Sequence, residues 1–413
     1  MTYDIAAFRA QFPALTAGAA FFDGPGGTQT PRPVIEAIAD ALANPLANRG
    51  QVTAAERNAE TIVAEARQAM ADLLGAQPSG IVLGRSATQL AYDFSRTLAK
   101  SWAPGDEVVV SRLDHDSNIR PWIQAAAQAG ATIRWAEFDP AGGELTVEDI
   151  RAALSGRTRL VALTGASNLI GTRPPVPEIA RLVHEAGALL YVDGVHLTAH
   201  TLIDVEQLGA DFFACSPYKF LGPHMGVLAS SPALLEELAP DKLLPSTDVV
   251  PERFEFGTLP YELLAGTRAA VDVLAGLAGL GGAGGLGAHH GGDRRGDRRE
   301  QLAAAFALLE KHEDSLLGRI EHGLAELPGV RTYSRAAART PTLLLTLDGH
   351  NTRDATRHLA ERGINAPSGS FYAVEASRHL GLGDDGGLRI GLAPYNSTDD
   401  VDRLLEGLAD FLR

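Results

Sequence analysis

Between residues 81 and 192, short apolar runs alternate with stretches whose apolar residues recur at helical spacing, and nothing else in the chain constrains its fold as strongly. The runs near 81–84, 107–111, 132–136, 159–163 and 188–192 read as strands. The segments near 88–100, 118–130, 147–154 and 177–186 read as helices between them. Strands joined through helices pair in parallel, because only a long crossover brings the chain back in the same direction. The expected fold class is α/β, a mostly parallel, doubly wound sheet with helices on both faces. Phe212-Phe213-Ala214-Cys215 and Gly226-Val227-Leu228-Ala229 add two strands. Their connector, 216–225, is too short for a crossover helix, so this pair is expected to be antiparallel.

Helical spacing from Val34 to Leu42 and from Glu56 to Leu74 places two helices ahead of the sheet. An N-terminal segment, residues 1–24, runs into the turn-forming Phe21-Phe22-Asp23-Gly24-Pro25-Gly26-Gly27. After Pro260 the pattern changes to a helix (Tyr261–Leu277), a Gly-rich stretch (Gly281–Gly296) and a long helix (Arg298–Leu327). A strand (Thr342–Leu347), a helix (Arg353–Arg362), a strand (Leu388–Leu392) and a last helix (Thr398–Leu412) follow. The expected organisation is a large domain over 25–260 and a smaller α+β domain over 261–413, with a flexible loop at 279–297. His289-His290 in that loop lack a positioned carboxylate or thiolate, so no metal site is expected.

A net charge of −15 and a pI near 5.3 argue against nucleic acid or an anionic membrane as partner and favour a small polar metabolite. Met1-Thr2-Tyr3-Asp4-Ile5 shows neither the basic start nor the apolar run of a signal peptide, and Asp272 and many Gly break the apolar stretch Ala269–Gly287. The expectation is a cytoplasmic protein without a transmembrane helix. One cysteine, Cys215, leaves no intramolecular disulfide and no Cys-based metal cluster.

In a doubly wound sheet ligands sit beyond the carboxyl ends of the strands, and Ser86, His115, Ser167, Asp193 and Ser216 each fall just after one. Two stretches then carry the chemistry, Tyr191-Val192-Asp193-Gly194-Val195-His196 and Cys215-Ser216-Pro217-Tyr218-Lys219. Only four of the 36 basic residues are Lys (Lys100, Lys219, Lys242, Lys311), so a Lys at a strand end is there for something Arg cannot do. An amine in a dry site can lose its proton and form an imine, whereas a guanidinium stays charged. An acid at one strand end with such a Lys after the next suits pyridoxal 5'-phosphate: the acid pairs with the pyridine nitrogen and the Lys carries the aldehyde. Arg85-Ser86-Ala87-Thr88-Gln89, between a strand and a helix, can hold a phosphate, His115 can stack on a ring, and the Asn168 amide can meet a phenolic oxygen. Arg389 stands inside the apolar run Leu388–Ala393, where a cation calls for an anion such as a substrate carboxylate.

Together these residues resemble the class V aminotransferase family and, within it, the cysteine-desulfurase-like branch, over nearly the whole chain from Phe22 to Asn396. The resemblance implies a fold-type-I-like large domain, with Lys219 as the covalent cofactor link, Asp193 on the pyridine nitrogen, His115 on the ring and Asn168 at its hydroxyl. Ala87, Thr88 and Ser216 would bind the phosphate. His196 stands where most members have Gln and is a second partner for the ring oxygen, and Tyr218 stands where many desulfurases have a phosphate-binding His. The family also implies a homodimer, each subunit lending Gly257-Thr258 to the other's phosphate. Where desulfurases carry a nucleophilic Cys this chain has Tyr372, placed with Arg389 on the substrate side. The implied function is a cofactor-dependent enzyme acting on an amino acid, for which three readings are open: a β-eliminating C–S lyase, an aminotransferase or epimerase, and a catalytically silent binding module.

Overall fold

The computed structural model of the chain describes residues 3–279 and 295–413, apart from the side chains of 295–297. The expected loop at 279–297 therefore lies almost wholly outside the described residues. A two-residue strand, β1 (Ala20–Phe21), precedes the strands of the central sheet: β2 (Ile81–Gly84), β3 (Glu107–Ser111), β4 (Thr132–Ala136), β5 (Thr158–Thr164), β6 (Leu189–Asp193), β7 (Phe212–Cys215) and β8 (Gly226–Ser230). Their order is β2-β8-β7-β6-β5-β3-β4. The neighbours from β7 to β4 run parallel, and β8 is antiparallel to both β7 and β2, as the short 216–225 connector requires. The fold is α/β with a mostly parallel sheet, and its strand positions follow the sequence pattern closely.

Strand residues alternate between two cores, which is why the inner strands read as unbroken apolar runs. Val108, Val110, Leu160, Ala162, Tyr191 and Phe212 face helices Ala87–Ala99 and Arg120–Ala129. Val109, Val161, Leu163, Leu190, Val192 and Phe213 face the opposite way, onto helices Ala54–Leu74, Val176–Glu185 and Tyr261–Gly276. Edge strand β4 alternates exposed and covered residues because it pairs only with β3. Local signals set the helix ends. Thr53 and Glu56 form a reciprocal capping box, and Gly75 closes the same helix in the left-handed conformation.

In the C-terminal part, β9 (Val330–Thr332), β10 (Thr342–Leu347), β11 (Ile364–Asn365), β12 (Ser368–Gly369) and β13 (Gly387–Gly391) follow. A four-stranded sheet, β12-β13-β10-β9, packs on helices Thr352–Ala360 and Thr398–Phe411. Helix Arg295–Ala325 serves both bodies: Leu302, Phe306 and Leu309 enter the large core, and Leu316, Ile320 and Leu324 the small one. The N-terminal segment also crosses over. β1 pairs in parallel with β11, and Asp23 bridges Gly391 at the end of β13. The Gly24–Gly27 turn is thereby held between the two sheets. None of the described helices is long and apolar enough to cross a membrane.

Candidate active site

Asp193 ends β6 and Lys219 ends the short turn Pro217–Lys219 after β7, so pairing of β6 with β7 brings acid and amine to one edge. Both are buried. Burial first, then the Arg389 guanidinium, bring the Lys219 amine down to about 7 against the opposing pull of Asp193. Its Nζ donates to the Pro25 carbonyl and lies 4.9 Å from the centre of the Tyr218 ring. Burial raises the Asp193 carboxyl to about 6, although Val195 N–H donates to Oδ1 at 2.9 Å and Lys219 favours its charge. A cation supplied at this carboxylate would return it to the ionised form.

His115 follows β3. Its Nδ1 accepts from Ser117 N–H at 3.1 Å and lies 2.8 Å from the Ser117 hydroxyl, which leaves the proton of the neutral ring on Nε2. Burial, Lys219 and Arg389 bring its pKa down to about 4. The preceding Asp114, which the sequence reading passed over, is fully buried and takes hydrogen bonds from Ser111 Oγ (2.5 Å) and Asn118 Nδ2 (2.7 Å). Trp122 Nε1 holds Asn118 in turn at 2.9 Å. Desolvation lifts Asp114 to about 8, so it locks the His115 loop as a neutral acid. The spacing of Asp114, Asn118 and Trp122 at four-residue steps was the available signal.

His196 is buried with Nε2 2.9 Å from Thr340 Oγ1 and 3.0 Å from Thr342 Oγ1, and burial keeps it neutral. Its Nδ1 is buried without a partner, as is Asn168 Oδ1. Asn168 spends its Nδ2 on the Phe371 carbonyl at 2.9 Å. A carbonyl only accepts, so the amide orientation is settled, and the oxygen rather than the nitrogen is left for a ligand.

Ser86 caps helix Ala87–Ala99 by accepting from Gln89 N–H at 3.0 Å, so its hydroxyl is engaged while the backbone N–H groups of Ala87 and Thr88 begin the helix. Gly226 opens β8 directly beneath: a Cβ there would stand 2.2 Å from the Ser86 carbonyl carbon. Ser216 is buried beside the Lys219 turn. The Ser167 hydroxyl only caps its own loop, accepting from Leu169 and Ile170 N–H at 3.3 Å. Tyr218 stacks on His224 at 4.8 Å and against Gly27. Gly257 and Thr258 are exposed, beyond a Glu255 anchored by Arg67 (2.7 Å) and Leu83 N–H (2.8 Å), and hydrogen-bond to none of these residues.

Arg389 is 2% exposed on β13, yet no carboxylate lies within ion-pair distance among the described residues. Nη1 donates to the Asn168 carbonyl at 2.9 Å and Nε is buried without a partner. Burial brings its pKa down to about 9, with the Asp23 carboxylate the main opposing influence. Asp23 itself keeps a buried, unpartnered Oδ1. Three non-glycine residues have positive φ among the described residues, Leu221 (73°), Phe371 (52°) and Tyr372 (59°), and all three border this site. Such conformations cost about 1–2 kcal/mol each and persist only where neighbours enforce them. Leu221 N–H is held by Thr28 Oγ1 at 2.8 Å, and the Tyr372 carbonyl by Asp116 N–H at 2.8 Å. Tyr372 is 74% exposed and stacks on His115 at 5.6 Å. Cys215 is wholly buried, and desolvation followed by Asp193 pushes its thiol well above the ordinary range.

These positions fit the expected cofactor. A dry amine, an acid at a strand end, a neutral imidazole, two unsatisfied buried acceptor-capable atoms and a helix N-terminus meet at one sheet edge. The sequence profile of the family Aminotransferase class-V matches residues 20–283 and 301–404. An aminotransferase-like protein of Gibberella zeae is 32% identical, with 98% of each chain covered. A cysteine desulfurase of Salmonella agona is 30% identical over 99% of this chain and 98% of that protein. The crystal structure of the cysteine desulfurase CsdA from Escherichia coli superposes with a TM-score of 0.85 at 27% identity, covering 100% of both chains. The chain belongs to the class V aminotransferase family and is a pyridoxal 5'-phosphate-dependent enzyme.

Proposed function

We propose that the enzyme breaks a C–S bond by β-elimination from an amino acid carrying sulfur at Cβ, with no persulfide on the protein. The observation that carries this reading is the place of the thiol: Tyr372 stands on the exposed loop at the mouth, and Cys215 is sealed beneath the sheet edge with its thiolate disfavoured. Bound pyridoxal phosphate supplies an electron sink conjugated to the substrate Cα. Lys219 would hold it covalently, Asp193 would keep its ring nitrogen protonated, and Ala87, Thr88 and Ser216 would receive the phosphate. Arg389 binds the substrate carboxylate, and Lys219, poised near neutrality, removes the Cα proton. The Cβ–S bond then gives up its electron pair to the departing thiolate.

A homodimer is part of this reading. Phe256 is exposed next to Gly257-Thr258, and Ile35, Leu42, Leu243 and Leu244 are exposed too, apolar surface of the kind a partner subunit covers. Incubation with cysteine and cysteine S-conjugates tests the reaction. Pyruvate, ammonia and a free thiol or sulfide in equal amounts are expected. Accumulation of pyridoxamine phosphate with a keto acid would make the enzyme an aminotransferase, and added sulfur on Cys215 would make it a desulfurase.

A further inference from the structure

Phe371 sits in a closed triangle that neither the sequence motifs nor the family roles single out. Its ring lies 3.6 Å below the Arg389 guanidinium carbon, its carbonyl takes the Asn168 side-chain amide at 2.9 Å, and the Asn168 carbonyl takes Arg389 Nη1 at 2.9 Å. Each member touches the other two. With a φ of 52°, Phe371 occupies a conformation its own chain disfavours, so the triangle selects it.

The geometry points to Phe371 as the positioning residue that aims Arg389 at the substrate carboxylate, an inference that rests on the carboxylate role of Arg389 proposed above. With one face of the planar group covered by the ring and Nη1 donating to Asn168, the Nε–Nη2 edge is the one that makes no hydrogen bond among the described residues. That edge faces Gly26, whose absent side chain would stand 3.4 Å from Nη2. A carboxylate must arrive in the guanidinium plane, along the bidentate approach. The site therefore takes substrates with a free α-carboxylate and discriminates against amines that lack one. The ring also gives a desolvated cation an electrostatic partner that does not compete for its donors.

Glycine and methylamine differ by the carboxylate alone, and the binding of each to holoenzyme can be followed through the cofactor absorption. The wild type should prefer glycine. Phe371→Leu should lower that preference about tenfold, as expected for losing a desolvated cation–π contact, while cofactor content and thermal midpoint hold. Phe371→Tyr should restore it. Arg389→Leu is the control for the underlying reading and should abolish the preference. If Arg389→Leu abolishes it and Phe371→Leu leaves it intact, or if Phe371→Tyr behaves like Phe371→Leu, the positioning role is overturned while the carboxylate role stands. If Arg389→Leu changes nothing, both fall.

Discussion

The two sides of this site are built by opposite strategies. On the side proposed for the cofactor, the groups follow strands of one sheet and several are fixed by partners a few residues away, as Asp114 and His115 are by Ser111, Ser117 and Asn118. On the side proposed for the substrate, Asp23, Asn168 and the pair Phe371 and Arg389 come from three distant parts of the chain, Asn168 lying 203 residues from Phe371 and 221 from Arg389, and two adjacent non-glycine residues are held at positive φ. The first side is a property of the sheet. The second exists only when several bodies of the chain are docked. Changes on the cofactor side should therefore destroy chemistry, and changes on the substrate side should mainly alter what is admitted.

Lys219→Ala tests the cofactor side at its strongest. Turnover should fall by at least about 10²- to 10⁴-fold, the usual worth of a positioned acid–base group, and borohydride should no longer fix cofactor to the protein. Labelling of Lys100, Lys242 or Lys311 in the wild type would break the assignment. Asp193→Ala comes next. Removing one partner of a buried charge pair costs about 3–5 kcal/mol, so activity should drop by roughly two to four orders of magnitude while much of the cofactor stays bound. A near-native rate would move the ring-nitrogen role elsewhere.

Arg389→Leu should act on the other side of the comparison. A charged hydrogen bond is worth about 1.5–3 kcal/mol, so kcat/KM for amino acids should fall roughly 10- to 100-fold, chiefly through KM. A pure kcat effect would place Arg389 with the cofactor groups instead. The pH profile sharpens the comparison further. The nucleophilic form of Lys219 is the neutral amine, so covalent capture of pyridoxal phosphate by cofactor-free protein should be fast above about pH 7, where that group titrates. It should slow about tenfold per unit below it. An inflection near the ordinary lysine value would mean that the amine is solvated. The smallest effect belongs to Cys215→Ala, which should leave turnover within about twofold and cost about 1 kcal/mol of stability, as a typical point substitution does.

The same division explains what the sequence revealed. The inner strands were legible because apolar residues crowd into short runs that are buried on both faces, and candidate site residues were sought at their ends because ligands gather there. Lys219, Asp193, His115 and Arg389 were singled out by residue type against context, and the structure brings them close together. Asp114 was missed because its four-residue spacing to Asn118 and Trp122 was the only signal, and that spacing gains meaning when the two side chains are seen to close over the carboxyl. Phe371 was missed for a deeper reason: no local pattern announces a turn residue whose ring meets a guanidinium from a strand. Asn168 was anticipated as an amide facing the ligand, and the structure adds that its nitrogen is held by the Phe371 carbonyl while its oxygen has no partner. Strands β1, β9, β11 and β12, of two or three residues each, are too short to carry a period.

The crossing of the N-terminal segment bears on how the protein comes into being. β1 meets β11 through residues as far apart as Ala20 and Asn365, whose separation is 345 positions. A ribosome emits the whole central sheet, with Asp193 and Lys219 in place, well before β11 and β13 exist. Contacts so distant along the chain close slowly, and domains generally fold as units during synthesis. The part that holds Asp193 and Lys219 can thus mature while the first twenty residues wait for their partner strand, and the surroundings of Arg389 are finished only by the last part of the chain to be made.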